Sequence, residues 1–184
     1  MQKLSHAIAD SWVPYSHKAV FSVSANDLSE RILAGVPGGD PTPFVHLVSC
    51  LEPPYFLLYV LHTPRGEGEP GRYQSPAMSQ QQFHEFVQRF GNFLSSDARF
   101  DIWAHSSSDQ ATVVWDRHNQ IFAYGPIDRY SSELRALGFV HGDASISFAH
   151  QHHYRHECDA DASALLNSMN WSHSPLRPED EQRL

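Results

Sequence analysis

Ser79-Gln80-Gln81-Gln82-Phe83-His84-Glu85-Phe86-Val87-Gln88-Arg89-Phe90-Gly91-Asn92-Phe93-Leu94, followed at once by the strand-like runs Phe100 to His105, Ala111 to Arg117 and Gln120 to Tyr124, decides the fold. In the first part, Phe83, Phe86, Val87, Phe90 and Leu94 recur at the spacing of one helix face. Ser79 with Gln82 three residues on is a capping-box start, and Ser95-Ser96-Asp97 is a stop. Burying three phenylalanines, at about 1.5–3 kcal/mol each, makes this stripe a main contributor to a core. The runs that follow are rich in Val, Ile, Trp, Phe and Tyr, the composition of strands on a half-buried pleat. His118-Asn119 separates the last two as a two-residue hairpin turn, with Asn able to take positive φ. That register sets Trp115 opposite Phe122 and Val113 opposite Tyr124.

Working towards the N-terminus, Tyr55 to His62 reads as a strand paired with a second one over Phe44 to Leu51, joined through Glu52-Pro53-Pro54. His17 to Val23 reads as another strand. Ser24 or Asn26 then caps a short helix carrying Leu28, Ile32 and Leu33 and stopped by Gly35. Towards the C-terminus, Asp128 opens a helix with Tyr130, Leu134 and Leu137, ended by Gly138. Asp159 or Asp161 opens a last helix with Ala162, Leu165, Leu166 and Met169. Neighbouring strands with short links favour a mainly antiparallel sheet with helices packed against it, an α+β class. No repeat and no linker divides the chain. Residues 1–16 read as an N-terminal arm, 17–171 as a single α+β domain, and 172–184 as a mobile polar tail.

The balance of 41% hydrophobic and 18% charged residues suits a chain that buries a core. No apolar run approaches the roughly 20 residues that span a bilayer. The start of the chain has no apolar segment behind a basic one, so no secretory signal is expected. With 21 acidic against 13 scattered basic residues and a net charge of −8, neither a nucleic acid nor an anionic membrane surface is the expected partner. An acidic domain does suit a protein partner. Cys50 and Cys158 form no CxxC pattern, which points to a reducing, cytoplasmic setting.

Four of the 13 histidines fall in His150-Gln151-His152-His153-Tyr154-Arg155-His156, followed by Glu157 and Asp159. On an extended chain His150 and His152 share a side, about 6.5–7 Å apart, a workable start for chelating a divalent metal such as zinc. The expected partners are His156 and Asp159, with Glu157, Asp101, Asp116, His105, His118 and His141 as ligands the fold could bring in. An open fourth position would hold a water of lowered pKa and make a metal-dependent hydrolase. The segment has neither HExxH nor zinc-finger spacing, so a merely solvated histidine cluster is the competing account.

Asp116 and His118 form a second candidate, an acid/base pair near a hairpin tip, although strand and turn positions need not converge. The loop from Arg65 to Ser75 has glycines but no Gly-Lys-Ser/Thr, so it is not a phosphate cradle. No cofactor-binding motif is present. Two functions stay open: a small acidic protein-binding module of inhibitor or immunity type, and a metal-dependent hydrolase built on His150, His152 and His156.

Overall fold

The computed structural model describes residues 1–25 and 30–180. The elements run β1 (Leu4–Ile8), β2 (Ser11–Pro14), β3 (Val20–Ala25), β4 (Glu30–Gly35), α1 (Thr42–Ser49), β5 (Tyr55–Leu61), β6 (Gly71–Gln74) and α2 (Gln80–Ser96). They continue with β7 (Phe100–Ser106), β8 (Ala111–Trp115), β9 (Gln120–Tyr124), α3 (Ile127–Ala136), β10 (Val140–His141), β11 (His150–His152), α4 (Asp159–Leu166) and β12 (Ser172–Ser174). Nine strands make one sheet in the order β10-β3-β4-β9-β8-β7-β5-β6-β12, and β11-β1-β2 make a second, smaller one. Among the described residues, only the short β10–β3 pairing is parallel. The chain is thus a single α+β domain with a mainly antiparallel sheet.

α2 starts where its sequence says. Ser79 Oγ accepts from the Gln82 amide while the Gln82 side chain accepts from the Ser79 amide. Its face Phe83, Phe86, Val87, Phe90, Phe93 and Leu94 is buried. It packs on one face of the large sheet, where Tyr55, Leu57 and Tyr59 of β5, Phe100 and Ile102 of β7, and Val113 and Trp115 of β8 join the same core. α1, α3 and α4 cover the rest of that face through Phe44, Leu47, Tyr130, Leu134, Ala162 and Leu165. The opposite face has its own smaller cluster, in which Leu33, Val114 and Phe122 are covered by Ala144.

Several elements differ from their sequence reading. Ile32 and Leu33 lie on strand β4, not on a helix; Asn26 and Leu28 of that expected helix lie outside the described residues. Ile32 faces the large core and Leu33 the small one, so a strand buried on both faces presents adjacent apolar residues and hides its period of two. Phe44 to Leu51, expected as a strand, is mostly helix α1. Its buried Phe44, Leu47 and Val48 sit at helical spacing, and Pro43 falls in the first turn, where a missing N–H costs nothing. Gly71–Gln74, inside the expected loop, pairs with β5. Residues 1–16, read as an N-terminal arm, contain the β1–β2 hairpin, with Lys3, Leu4 and Ser5 buried. The segment from Ser172, expected as a mobile tail, begins with β12, hydrogen-bonded to β6 at the sheet edge.

The β8–β9 hairpin also differs. The register is Trp115 opposite Ile121, Val114 opposite Phe122 and Thr112 opposite Tyr124, one step from the expected pairs. Asp116 and Gln120 close the ladder, and Arg117, His118 and Asn119 form a three-residue loop. Asn119 takes φ 56°, the left-handed position at the end of a three-residue hairpin loop. The side chain of Asp116 selects this loop: its Oδ1 accepts from the amides of both His118 and Gln120, at 2.9 and 2.8 Å. Among the described residues, no helix is long and apolar enough to cross a membrane.

Candidate metal centre

One ring nitrogen from each of His118, His150 and His152 lies within 4.8 Å of the other two, and all three side chains are partly buried. His118 comes from the loop of the large sheet, while His150 and His152 come from β11 of the small one. The alternation of a strand puts His150 and His152 on one side, with ring centroids 5.2 Å apart. The ring of His118 sits 5.3 Å from that of His150 and 4.8 Å from that of His152. β11 is held in place by β1, with Leu4 opposite His152 and His6 opposite His150.

Hydrogen bonds fix which nitrogens are left. His118 Nδ1 lies 2.7 Å from Asp116 Oδ2. His150 Nδ1 lies 3.1 Å from the carbonyl of Phe148, which can only accept, so that Nδ1 carries the proton. In both rings Nε2 keeps its lone pair. His152 Nδ1 is 3.5 Å from the Tyr154 hydroxyl, and its buried Nε2 has no hydrogen-bond partner among the described residues. A buried ring nitrogen without a partner calls for an explanation such as an ion. Three imidazoles around one tetrahedral zinc, each about 2.0–2.1 Å from it, place their nitrogens about 3.3 Å apart, so a small closure of the three rings suffices.

The electrostatics act in opposite directions at two of the corners. Burial, then the nearby His118, Arg117 and His150, push His152 down to about 3. His118 is also disfavoured by burial as a cation, but the hydrogen bond and charge of Asp116 outweigh this and raise it. Asp116, fully buried, is held below the usual carboxylate range because the His118 contact overcomes its desolvation. This is the carboxylate–histidine arrangement that orients metal ligands from behind. His17 adds a further layer, its Nε2–H donating 2.9 Å to the His118 carbonyl. Lys3 donates 3.0 Å to the Asp116 carbonyl from inside the core, its ammonium over the Trp115 ring.

The structure brings together His150, His152 and His118, and puts Asp116 behind His118. It separates the others. His156 is exposed and pairs with Glu157 at 3.1 Å. Asp159 is held 2.9 Å from Arg99 and 3.0 Å from Arg65. Both fall out of the ligand set because the chain leaves β11 and turns into α4 after His153. His105 bonds Thr112, and Asp101 bonds His62 and the Arg117 amide. Sequence spacing pointed to His17 and Lys3 in no way; they meet the site through β1, β2 and the segment after them. Ser5 and His153 form a 2.7 Å pair, also unforeseen, but Ser5 is only 5% exposed and offers no accessible nucleophile. No protein-family model, curated protein or solved structure matches the chain.

Proposed function

We propose that the protein is a metal-dependent hydrolase whose divalent ion, of the zinc class, is bound by Nε2 of His118, His150 and His152. The observation that carries this reading is the convergence of three ring nitrogens within 4.8 Å, with Asp116 and the Phe148 carbonyl occupying the far side of two of the rings. Three histidines and an open position are a ligand set of catalytic zinc. When bound, the ion supplies a water of lowered pKa and a Lewis acid. The chain itself supplies orientation: Asp116 fixes the His118 ring, Phe148 fixes the tautomer of His150, and burial keeps His152 uncharged.

The test is metal analysis and calorimetry on tag-free protein. After chelation and reloading, one zinc per chain is expected, with binding weakened at least 100-fold in His118→Ala and in His150→Ala/His152→Ala. Hydrolysis of p-nitrophenyl acetate should follow the zinc content. Failure of the wild type to retain one ion, or equal retention by the variants, overturns the reading.

A second reading, a protein-binding module, rests on the β1–β2 hairpin, where Ile8 is 54% and Trp12 47% exposed. Tryptophan is a frequent interface anchor. Loss of a co-purifying native partner in Trp12→Ser, with metal content unchanged, would support it; partner recovery that Trp12→Ser leaves unaltered would count against it.

A further inference from the structure

The face of the large sheet opposite the helices is covered at two places. Ala144 lies over Leu33, Val114 and Phe122, and Asp180 reaches the Arg72 side chain. Between them a cavity of about 360 Å³ opens on Phe56, Leu58, Arg72, Gln74, Trp103 and His105. That is within the range of small-molecule sites, and the lining is of the usual kind, apolar walls with a few polar groups.

We propose that this cavity binds an uncharged, planar ring compound carrying a carbonyl acceptor. Three observations define that chemistry. First, Trp103 Nε1 is buried and has no hydrogen-bond partner among the described residues. The indole N–H is a donor, and a buried donor without a partner calls for an acceptor. Second, the charge of Arg72 is already offset by Asp180 at 3.3 Å and Glu179 at 3.7 Å, so an anionic ligand would meet two carboxylates there. Among the described residues, Arg72 is the one Lys, Arg, Asp or Glu of the lining. A neutral acceptor fits both facts.

Third, Leu58 pairs with Trp103 and Phe56 with His105 across β5 and β7, which makes Phe56 and Trp103 diagonal neighbours on this face. Such neighbours stand about 7–8 Å apart. Both side chains line the cavity, so a flat ring entering it meets two aromatic walls. Gln74, His105 and Thr112 stand around the rim, and the His105–Thr112 hydrogen bond of 3.0 Å orients the imidazole.

The test uses three ligands of one shape and different charge: benzamide, benzoate and benzylamine. The indole N–H signal of Trp103, assigned in the ¹H–¹⁵N spectrum by its loss in Trp103→Phe, is followed during each titration. Benzamide should shift it saturably and bind at least tenfold more tightly than the other two. Phe56→Ala, at a half-buried position, should weaken benzamide at least tenfold while leaving the rest of the spectrum unchanged, and serves should Trp103→Phe fail to fold. No saturable shift with benzamide, tighter binding of benzoate or benzylamine, or equal binding by Phe56→Ala overturns the proposal. Zinc loading is not required for binding, so failure of the metal reading leaves this outcome unaffected.

Discussion

His118 Nδ1 stands 2.7 Å from Asp116 Oδ2, while the other oxygen of the same carboxylate accepts from the His118 and Gln120 amides. One buried carboxylate therefore shapes the hairpin loop and aims the ring that the loop carries. Asp116→Asn separates the two tasks, since an amide oxygen can still accept from the backbone but carries no charge to hold the Nδ1 proton. Zinc affinity is expected to fall about 10–100-fold, with the β8–β9 loop retained. Calorimetry checks the first effect and the amide chemical shifts of His118 and Gln120 the second; unchanged affinity would remove Asp116 from the centre.

The proposed ligands belong to different sheets: His118 to the large one, His150 and His152 to the small one. An ion held by all three ties β11, and through it β1, to the β8–β9 loop. Binding to the folded state alone adds about 2.7 kcal/mol at a free ion concentration 100 times Kd. Thermal unfolding with excess zinc is therefore expected to shift upward by several degrees, and His118→Ala to abolish the shift relative to that variant's own untreated melting point. A shift that survives in His118→Ala would place the ion elsewhere.

The parts of this arrangement legible in the sequence were those written locally. The α2 stripe with its Ser79–Gln82 box, the strands over Phe100 to Tyr124, and the His150/His152 spacing all depend on residues within one element. What the sequence could not rank was the third ligand. His118 lies 32 residues before His150, and only the fold decides that it, and not the adjacent His156, meets the pair. The Asp116–His118 geometry was obscured for a smaller reason: a two-residue and a three-residue loop differ by one step of register, and that step turns every side chain to the other face. β4 and α1 were misread because burial on both faces and a proline in the first turn each mask the usual period.

The Arg99 guanidinium, fully buried, meets Asp97 at 2.8 Å, Glu67 at 3.0 Å and Asp159 at 2.9 Å, and donates to the Arg155 carbonyl. It joins the end of α2, the 63–70 loop and the start of α4. Removing one partner of a buried ion pair leaves an uncompensated charge, which costs about 3–5 kcal/mol. Arg99→Met is expected to lose that much in urea unfolding, because Asp97 and Glu67 stay buried. Asp97→Asn/Arg99→Met should recover part of it. A loss below about 1 kcal/mol, the range of surface pairs, would show that the cluster is solvated.

Lys3 gives a pH dependence of the same sign as that of a paired carboxylate, but in an alkaline window. Burial pulls its ammonium from 10.5 to about 8, with Asp116, Asp101 and Asp97 only partly offsetting the loss of water. Below pH 8 both folded and unfolded chains hold the proton, and the folded state carries the full cost of burying it. Between about 8 and 10.5 the unfolded chain binds more protons than the folded one, so stability rises with pH over that window. From pH 7 to pH 9 the rise attributable to Lys3 is roughly 1 kcal/mol. Cys50, raised to about 11 mainly by burial, works against it above pH 9, so the comparison is confined to the lower range. Urea unfolding of the wild type and Lys3→Met at pH 7, 8 and 9 isolates the contribution as a difference between the two curves. The wild type should gain on the variant as pH rises; parallel curves would mean that Lys3 keeps its ordinary proton affinity and that its ammonium reaches water.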